Sequence, residues 1–537
     1  MENTKIITYN LGELTTQYEP FGEKNIYGFS LVNAGSTATP GQPMLPRESM
    51  LVALPDGAIV KDISAKVIKS DKLNDQFQVI CVPNPATEDE PLTFTPDSAI
   101  YSSDTDFPSI LTENAGQESF YGINCVNILV YPVVWNPKSK LITLHREIEI
   151  TITYNLDGAT NVKQKKSQLP KYLKHLVYGL AEYEEPFADN GKPRLLIVTS
   201  KELVGALQEY VLAKSDKYTV DTVFIENMAP EPASRVDDLY NFLKSENETN
   251  KISHVVICGD VDTIPTKMFI KNGEEFASDS FYASDFERGQ YKPEFCVSRI
   301  PSSTEDELRR LCRRAADYSL NYSEKRKQTV FTTYYSSENN GDRYNICSDG
   351  IVEYIKNHNA GQFAPTKRDD TDKPEDIPPT KQALISTIEV GPGFINYRGH
   401  GDFDRWQSHI GLTTNDVINL NIKKDLPNVF SIACYNNAIQ NQGAARFGAA
   451  WIQNERAITF LGASSPSYTI ENNYFNKFLW EELCAGNTSV IGAIYQAATI
   501  KFLAEFPNDD YVQHNVKSYL LLGDGTTDYL DNPANNV

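Results

Sequence analysis

Two stretches decide the fold: GPGFINYRGHGDFDRW at Gly391–Trp406 and NVFSIACYNN at Asn428–Asn437. In the first, Phe394, Ile395 and Tyr397 run into Gly399-His400-Gly401; in the second, Val429, Phe430, Ile432 and Ala433 run into Cys434. Short apolar runs bounded by turn residues read as strands buried on both faces of a parallel sheet. Functional groups in such sheets gather beyond the carboxyl ends of the strands. One imidazole and one thiol are therefore expected on the same rim. The glycines flanking His400 let the backbone approach a substrate closely. A thiol and an imidazole on one rim are the minimum equipment for nucleophilic acyl transfer.

Outward from this pair the chain alternates strand and helix, the pattern of a mostly parallel sheet. RLLIVTS (194–200), TVDTVFI (219–225) and HVVICGD (254–260) read as strands, with helices at Lys201–Lys214 and Ser234–Ser245 between them. FCVSRI (295–300) leads into a helix whose start carries capping residues, Ser303 or Thr304 with Asp306 or Glu307. A second α/β unit begins near Gln328 with TVFTTYY (329–335) and a helix at Arg343–Asn357. After the His400 and Cys434 strands come RAITFLGAS (456–464), helices at Asn473–Leu483 and Ser489–Phe502, and SYLLLGD (518–524), expected to close the sheet.

Residues 1–160 read differently. Ile142, Leu144, Ile148, Ile150, Ile152 and Tyr154 fall at alternate places, as in a half-buried antiparallel strand. Asn124–Val134 is expected to pair with it across the Trp135–Lys140 turn. Long helical patterns are missing, and a β-sandwich-like domain is the reading. NVKQKKSQLPKYLKH (161–175) is basic inside an acidic protein and is followed by a linker-like PFADNGKP (186–193). The expected fold is thus α/β with an N-terminal antiparallel β domain: 1–160 β-rich, 161–192 a basic linker, and α/β subdomains at 193–327 and 328–537 standing side by side.

At 537 residues several folding units are expected. A net charge of -21 argues against nucleic acid as a partner, because phosphates repel an acidic surface. It favours basic substrates slightly, or simply keeps the protein soluble. Eight cysteines without CxxC spacing make neither a disulfide scaffold nor a zinc site. Cys258, Cys296, Cys312 and Cys484 lie in apolar or helical patterns and read as core thiols. No run of about 18 apolar residues could span a membrane, and MENTKIITYNLGE has no apolar signal core.

Cys434 is the candidate nucleophile and His400 the candidate general base and acid, with His409 second to it. The oxyanion of an acyl-transfer intermediate needs preorganised donors. The N–H groups of Gly401 and Cys434 are the natural pair, with glycine at 401 keeping clear of the carbonyl. Trp406 either walls the cleft or packs beneath it.

A strand ending in His-Gly paired with one ending in Ala-Cys resembles the caspase-like cysteine peptidases. NYRGHGDFDRWQSHIGLTTNDV (396–417) with LPNVFSIACYNN (426–437) resembles the gingipain family in particular, as do GASSPSY (462–468) and the closing YLLLGDGTTDY (519–529). GQPMLPRESMLVALPDGA (41–58) resembles that family's propeptide. The resemblance implies a zymogen-like cysteine endopeptidase acting on protein or peptide substrates, with the N-terminal domain as its intramolecular inhibitor. A maturation site is implied in the basic linker, with Lys163, Lys165, Lys166 and Lys171 as candidates. By the N-terminal sequence alone the protein is either cytoplasmic or preceded at Met1 by an export signal that was removed; the resemblance favours the second and implies secretion or display at the cell surface. It also implies an acidic partner for His400, for which Glu338 stands closest; a solvated loop acid is the alternative. For specificity it implies an aspartate, Asp342, and an aromatic pocket wall, Tyr468. If Asp342 lines the pocket, Arg or Lys precedes the scissile bond; if it caps the following helix, specificity is open. The chemistry requires no cofactor. The family implies a structural calcium, for which no loop has clear ligand spacing. Two rivals use the same fold: a transpeptidase of sortase type, in which an amine resolves the acyl-enzyme, and a catalytically silent binding protein.

Overall fold

A computed structural model describes residues 2–18, 26–156, 169–180, 191–334, 342–358, 363–369, 381–408, 410–422, 425–441 and 446–530. The chain divides into two compact units. The first gathers Met1–Pro85, Pro91–Asp189 and Ile500–Asp509; the second gathers Ala86–Glu90, Asn190–Thr499 and Asp510–Val537.

The first unit is β-rich. Its main strands are β1 (Glu2–Asn10), β2 (Pro46–Ala53), β3 (Ala58–Lys72), β4 (Thr112–Phe120), β5 (Ile123–Val130), β6 (Val133–Trp135) and β7 (Ile142–Leu156). One sheet pairs β7 with β1, β3 and β6; another pairs β5 with β2 and β4, all antiparallel. Along β7 the side chains alternate, and Ile148, Ile150 and Ile152 share a core with Met50, Val52, Val126 and Ile128 of the other sheet. This is the period-two burial of a sheet with one face inward. The Asn124–Val134 pairing expected from the sequence is corrected. Only Val133–Trp135 meets β7, while β5 lies between β2 and β4. Pro132 makes the break: it has no N–H to donate, and its carbonyl accepts from His145 N at 2.8 Å.

Glu505, in the segment that completes this unit, is buried. Its carboxylate accepts from Gly35 N at 3.0 Å and Ser49 N at 2.9 Å. Burial pushes its pKa up to about 7, with Glu48 adding to the rise against the two N–H groups. A carboxyl whose folded pKa lies above its unfolded value favours folding most below the unfolded pKa and loses that contribution as pH rises through the folded one. The unfolding free energy of this unit is therefore expected to fall by about 3 kcal/mol between pH 4.5 and 8. Urea titrations across that range measure it, and Glu505→Gln should flatten this part of the profile.

The second unit is α/β. Its strands are β8 (Arg194–Thr199), β9 (Thr219–Phe224), β10 (His254–Cys258), β11 (Cys296–Ile300), β12 (Gln328–Thr333), β13 (Ala364–Asp369), β14 (Phe394–Arg398), β15 (Asn428–Ile432), β16 (Thr459–Ala463) and β17 (Tyr519–Gly523). They form one sheet in the order β9-β8-β10-β11-β17-β16-β15-β14-β12-β13. Helices α1 (Gln208–Ser215), α2 (Arg235–Thr249), α3 (Glu305–Leu320), α4 (Asp342–His358) and α5 (Thr469–Ala485) are among those that intervene. At the start of α3 the Thr304 hydroxyl accepts from Glu307 N, the capping the sequence indicates.

β17 does not close the sheet at an edge, as its place near the chain's end suggests. It lies inside, antiparallel to β16 and parallel to β11, and so joins the two halves. YLLLG is buried at all five positions, which suits a strand with neighbours on both sides. From β12 the next strand, β13, lies on one side and β14 on the other. Such a reversal opens a crevice at the carboxyl ends of the strands. Among the described residues no helix is long and apolar enough to cross a membrane.

Candidate active site

β14 and β15 are parallel neighbours in register, with Arg398 opposite Ile432. The chain leaves both strands at the same rim, bringing up His400 two residues after β14 and Cys434 two after β15. Gly399 is required there by close approach: a Cβ would stand 2.5 Å from Tyr334 Cβ and 2.8 Å from the Tyr397 hydroxyl. The Tyr397 hydroxyl donates to His400 O at 2.7 Å and holds the turn. Asn436 ties the two segments beyond this rim together. Its amide donates to Asp402 O at 2.7 Å and Arg405 O at 3.0 Å, while its Oδ1 accepts from the Ser431 hydroxyl at 2.6 Å. Tyr435, directly after the thiol, takes a left-handed φ of 58°, a strained value for a bulky residue that turns the chain sharply at the site.

A Cβ on residue 401 would collide with the Cys434 carbonyl oxygen and stand 2.9 Å from Ala433 Cβ. Glycine is thus needed by the protein's own backbone. Gly401→Ala is expected to push the segments bearing His400 and Cys434 apart and to cost about 1–3 kcal/mol of stability, which urea titration reads.

The Cys434 thiol is buried. Its sulfur accepts from Ser467 N at 3.2 Å and lies 3.6 Å from the Ser467 hydroxyl. No hydrogen bond joins it to the imidazole. His400 Nδ1 lies 3.3 Å from the Asp89 carboxylate, at ion-pair distance but out of hydrogen-bond alignment. His400 Nε2 lies 3.3 Å from the Tyr344 hydroxyl. Tyr334 and Tyr344 both set ring edges against the imidazole, with centroids 4.7 and 5.5 Å away. Burial pushes the Cys434 pKa up to about 12, the Glu88 and Asp89 carboxylates adding to it against the Ser467 N–H. Alkylation of Cys434 by iodoacetamide is therefore expected to keep rising about tenfold per pH unit from pH 7 past pH 9, with no plateau near 8.5. Site-resolved mass spectrometry of the full chain reads this directly.

The acids beside the site come from Ala86–Glu90, which belongs to this unit although strands of the other unit flank it in sequence. It lies along Ser467–Thr469 as a short antiparallel pair. Glu88 N donates to Ser467 O at 3.1 Å, Thr469 N donates to Ala86 O at 3.0 Å, and Thr87 faces Tyr468. Glu88 is fully buried against Arg398, the last residue of β14, with Oε1 to Nη1 at 2.5 Å. Burial alone would lower the Arg398 pKa; the Glu88 charge outweighs it and raises the pKa above its ordinary value.

Of the other residues singled out in the sequence, Tyr468 lines this pair and packs its ring against Tyr511 and His514. Of the two places open to Trp406, walling the cleft or packing beneath it, the structure shows the packed one. It is buried, stacks on Tyr397 at 4.6 Å and donates to the Ser431 hydroxyl at 2.8 Å. Its large apolar ring fills the layer beneath the sheet instead. Asp342 opens α4, and its side chain lies outside the described residues, as do Glu338, His409, Lys163, Lys165 and Lys166. Lys171 begins a short 3₁₀ helix. Among the described residues no cluster of three or more His, Cys, Asp or Glu is placed to hold a metal ion. Sequence reasoning missed Tyr344, Arg398, Ser467, Asn472, Glu88 and Asp89. Only Arg398 left a signal, as a cation ending an otherwise buried strand.

Residues 188–529 match the model of peptidase family C25, and residues 4–180 match Propeptide_C25. The chain is 24% identical over 313 residues to Gingipain R1 of Porphyromonas gingivalis, covering 57% of this chain and 30% of that protein. It is 21% identical over 475 residues to Lys-gingipain HG66 of the same organism, covering 83% of this chain and 26% of that protein. The chain thus spans less than a third of the length of these relatives. Among solved structures, the Arg-specific cysteine proteinase gingipain R (RgpB) superposes with a TM-score of 0.53 at 18% identity, covering 64% of this chain and 79% of that one. The complex of P. gingivalis RgpB pro- and mature domains gives 0.52 at 19%, covering 62% and 79%. At these identities the likeness is one of fold.

Proposed function

This chain belongs to peptidase family C25, and on that footing we propose that it is a cysteine endopeptidase held in a zymogen-like state. The observation that carries the reading is the arrival of Cys434 and His400 at one rim from adjacent parallel strands. In the reaction the Cys434 sulfur attacks the scissile carbonyl as His400 takes the thiol proton. The N–H groups of Gly401 and Cys434 receive the charge that grows on the carbonyl oxygen. The C–N bond then breaks, and the imidazolium gives its proton to the leaving amine. Water, deprotonated by His400, attacks the remaining thioester; the acid leaves and the thiol is restored. No step needs a metal.

Three features support latency. The Ala86–Glu90 segment lies along the edge that an extended substrate would use. Both imidazole nitrogens face groups other than the thiol. The thiol itself is buried with its pKa raised. The segment lies within the stretch that matches the propeptide model, consistent with an inhibitory role for that region. A basic preference before the bond would rest on the Asp342 side chain, which lies outside the described residues; the pocket that can be described is the one around Arg398.

The test is hydrolysis of a quenched protein substrate by the full-length chain before and after limited proteolysis. Activity that appears on nicking and is lost in His400→Ala supports the reading. Peptide ligation without hydrolysis would point to a transpeptidase, and inactivity of the folded, nicked chain would sink the proposal.

A further inference from the structure

The buried Arg398 has no part in the chemistry above, yet its surroundings form a built pocket. Its Nε donates to Asn473 Oδ1 at 2.9 Å, Nη2 to Thr469 O at 3.0 Å, and Nη1 to Ile432 O at 3.4 Å. The guanidinium lies over the Tyr344 ring at 4.7 Å. What remains of Nη1 meets Glu88 Oε1, which also accepts from the Asn472 amide at 2.6 Å; Oε2 takes the Thr469 hydroxyl at 3.3 Å. A carboxylate in this place therefore meets one cation and two neutral donors, all buried.

The pocket sits beside the nucleophile. The same Asn472 amide donates to the Ser467 hydroxyl at 2.8 Å, and that hydroxyl is 3.6 Å from the Cys434 sulfur. The backbone bearing Glu88 runs as a substrate would, extended and antiparallel to Ser467–Thr469. Asp89, next along the chain, stands at His400, where a leaving amine would need its proton. Glu88 thus has the register of the residue on the acyl side of a scissile bond, and Asp89 that of the residue on the amine side.

We propose that the Arg398–Asn472–Thr469 pocket recognises a carboxylate side chain directly before the scissile bond, so that the enzyme cleaves after glutamate, with Glu88 as a resident substrate mimic. The inference rests on the peptidase reading above. A basic side chain would bring a second cation against a buried guanidinium. Aspartate is one methylene short of the contacts Glu88 makes. Glutamine keeps the shape but turns an amide donor toward Arg398 or Asn472 and leaves a buried donor unpaired.

The test is a panel of fluorogenic peptides that differ only in the residue before the bond: Glu, Asp, Gln, Leu, Arg and Lys. It is run on the nicked full-length chain with Cys434→Ala as control. The expected order of kcat/KM is Glu first, Asp about tenfold lower, Gln at least about 100-fold lower and Arg or Lys undetectable. In Arg398→Gln the preference for Glu over Gln should collapse. If that variant does not fold, the wild-type Glu-to-Gln ratio decides alone. Cys434-dependent cleavage after Arg, Lys or Leu as fast as after Glu, or a Glu-to-Gln ratio near one, overturns this inference and leaves the peptidase reading standing. Cleavage of no peptide, with the chain folded and nicked, overturns both.

Discussion

Replacing Cys434 with alanine is expected to lower kcat/KM by about 10⁵- to 10⁶-fold, the scale seen when the nucleophile of a covalent mechanism is removed. The large loss follows from the geometry. Among the cysteines Cys434 alone follows the strand next to His400, and the Ser467 N–H stands 3.2 Å from its sulfur, ready to hold a thiolate. The fold should barely notice the change, since only one buried sulfur atom is removed, at a cost of about 1 kcal/mol. Activity lost with the unfolding midpoint held is the signature to measure. A matching loss in His400→Ala, not additive with the first, would mark the two as one catalytic unit.

Glu88→Ala should move stability and reactivity in opposite senses. The change leaves the Arg398 guanidinium buried without its carboxylate. Breaking one side of a buried ion pair costs about 3–5 kcal/mol, more than the intact pair contributes. The unfolding free energy of the second unit should fall by that amount, and the double variant Glu88→Met/Arg398→Met should recover most of it. At the same time Cys434 loses the largest charge acting to keep it protonated. Its alkylation at pH 8 should speed up at least tenfold. Urea titration and site-resolved labelling of one preparation test both halves. A loss of stability without faster labelling would mean that Glu88 only braces the fold.

The sequence carried the sheet and the pair at its rim because both are local signals. FINYR and NVFSI are short, apolar and followed by turn residues, and these properties survive in any context. Strand position was less legible. YLLLG reads as buried, but nothing in five residues says which neighbours bury it. Pro132, visible in the sequence, explains why the strand before it pairs elsewhere, though its effect depends on partners far along the chain. The site's polar surroundings were the least legible. Glu88 and Arg398 lie 310 positions apart, and no periodicity links them. The cation ending a buried strand did announce that some acid must meet it. Trp406 shows the converse: an aromatic near a catalytic histidine in sequence, yet on a strand whose ring turns into the core.

Covalent trapping decides whether Cys434 is the nucleophile, activated by His400 and masked by Ala86–Glu90. The full-length chain, intact and nicked, is treated with a peptidyl acyloxymethyl ketone ending in glutamate, and the modified thiol is located by mass spectrometry. One label is expected, on Cys434 and on none of the other seven cysteines, present in the nicked chain, nearly absent in the intact one, and lost in His400→Ala. Labelling spread over Cys347 or Cys484, the two thiols that are not fully buried, or labelling of Cys434 that ignores His400, would overturn it.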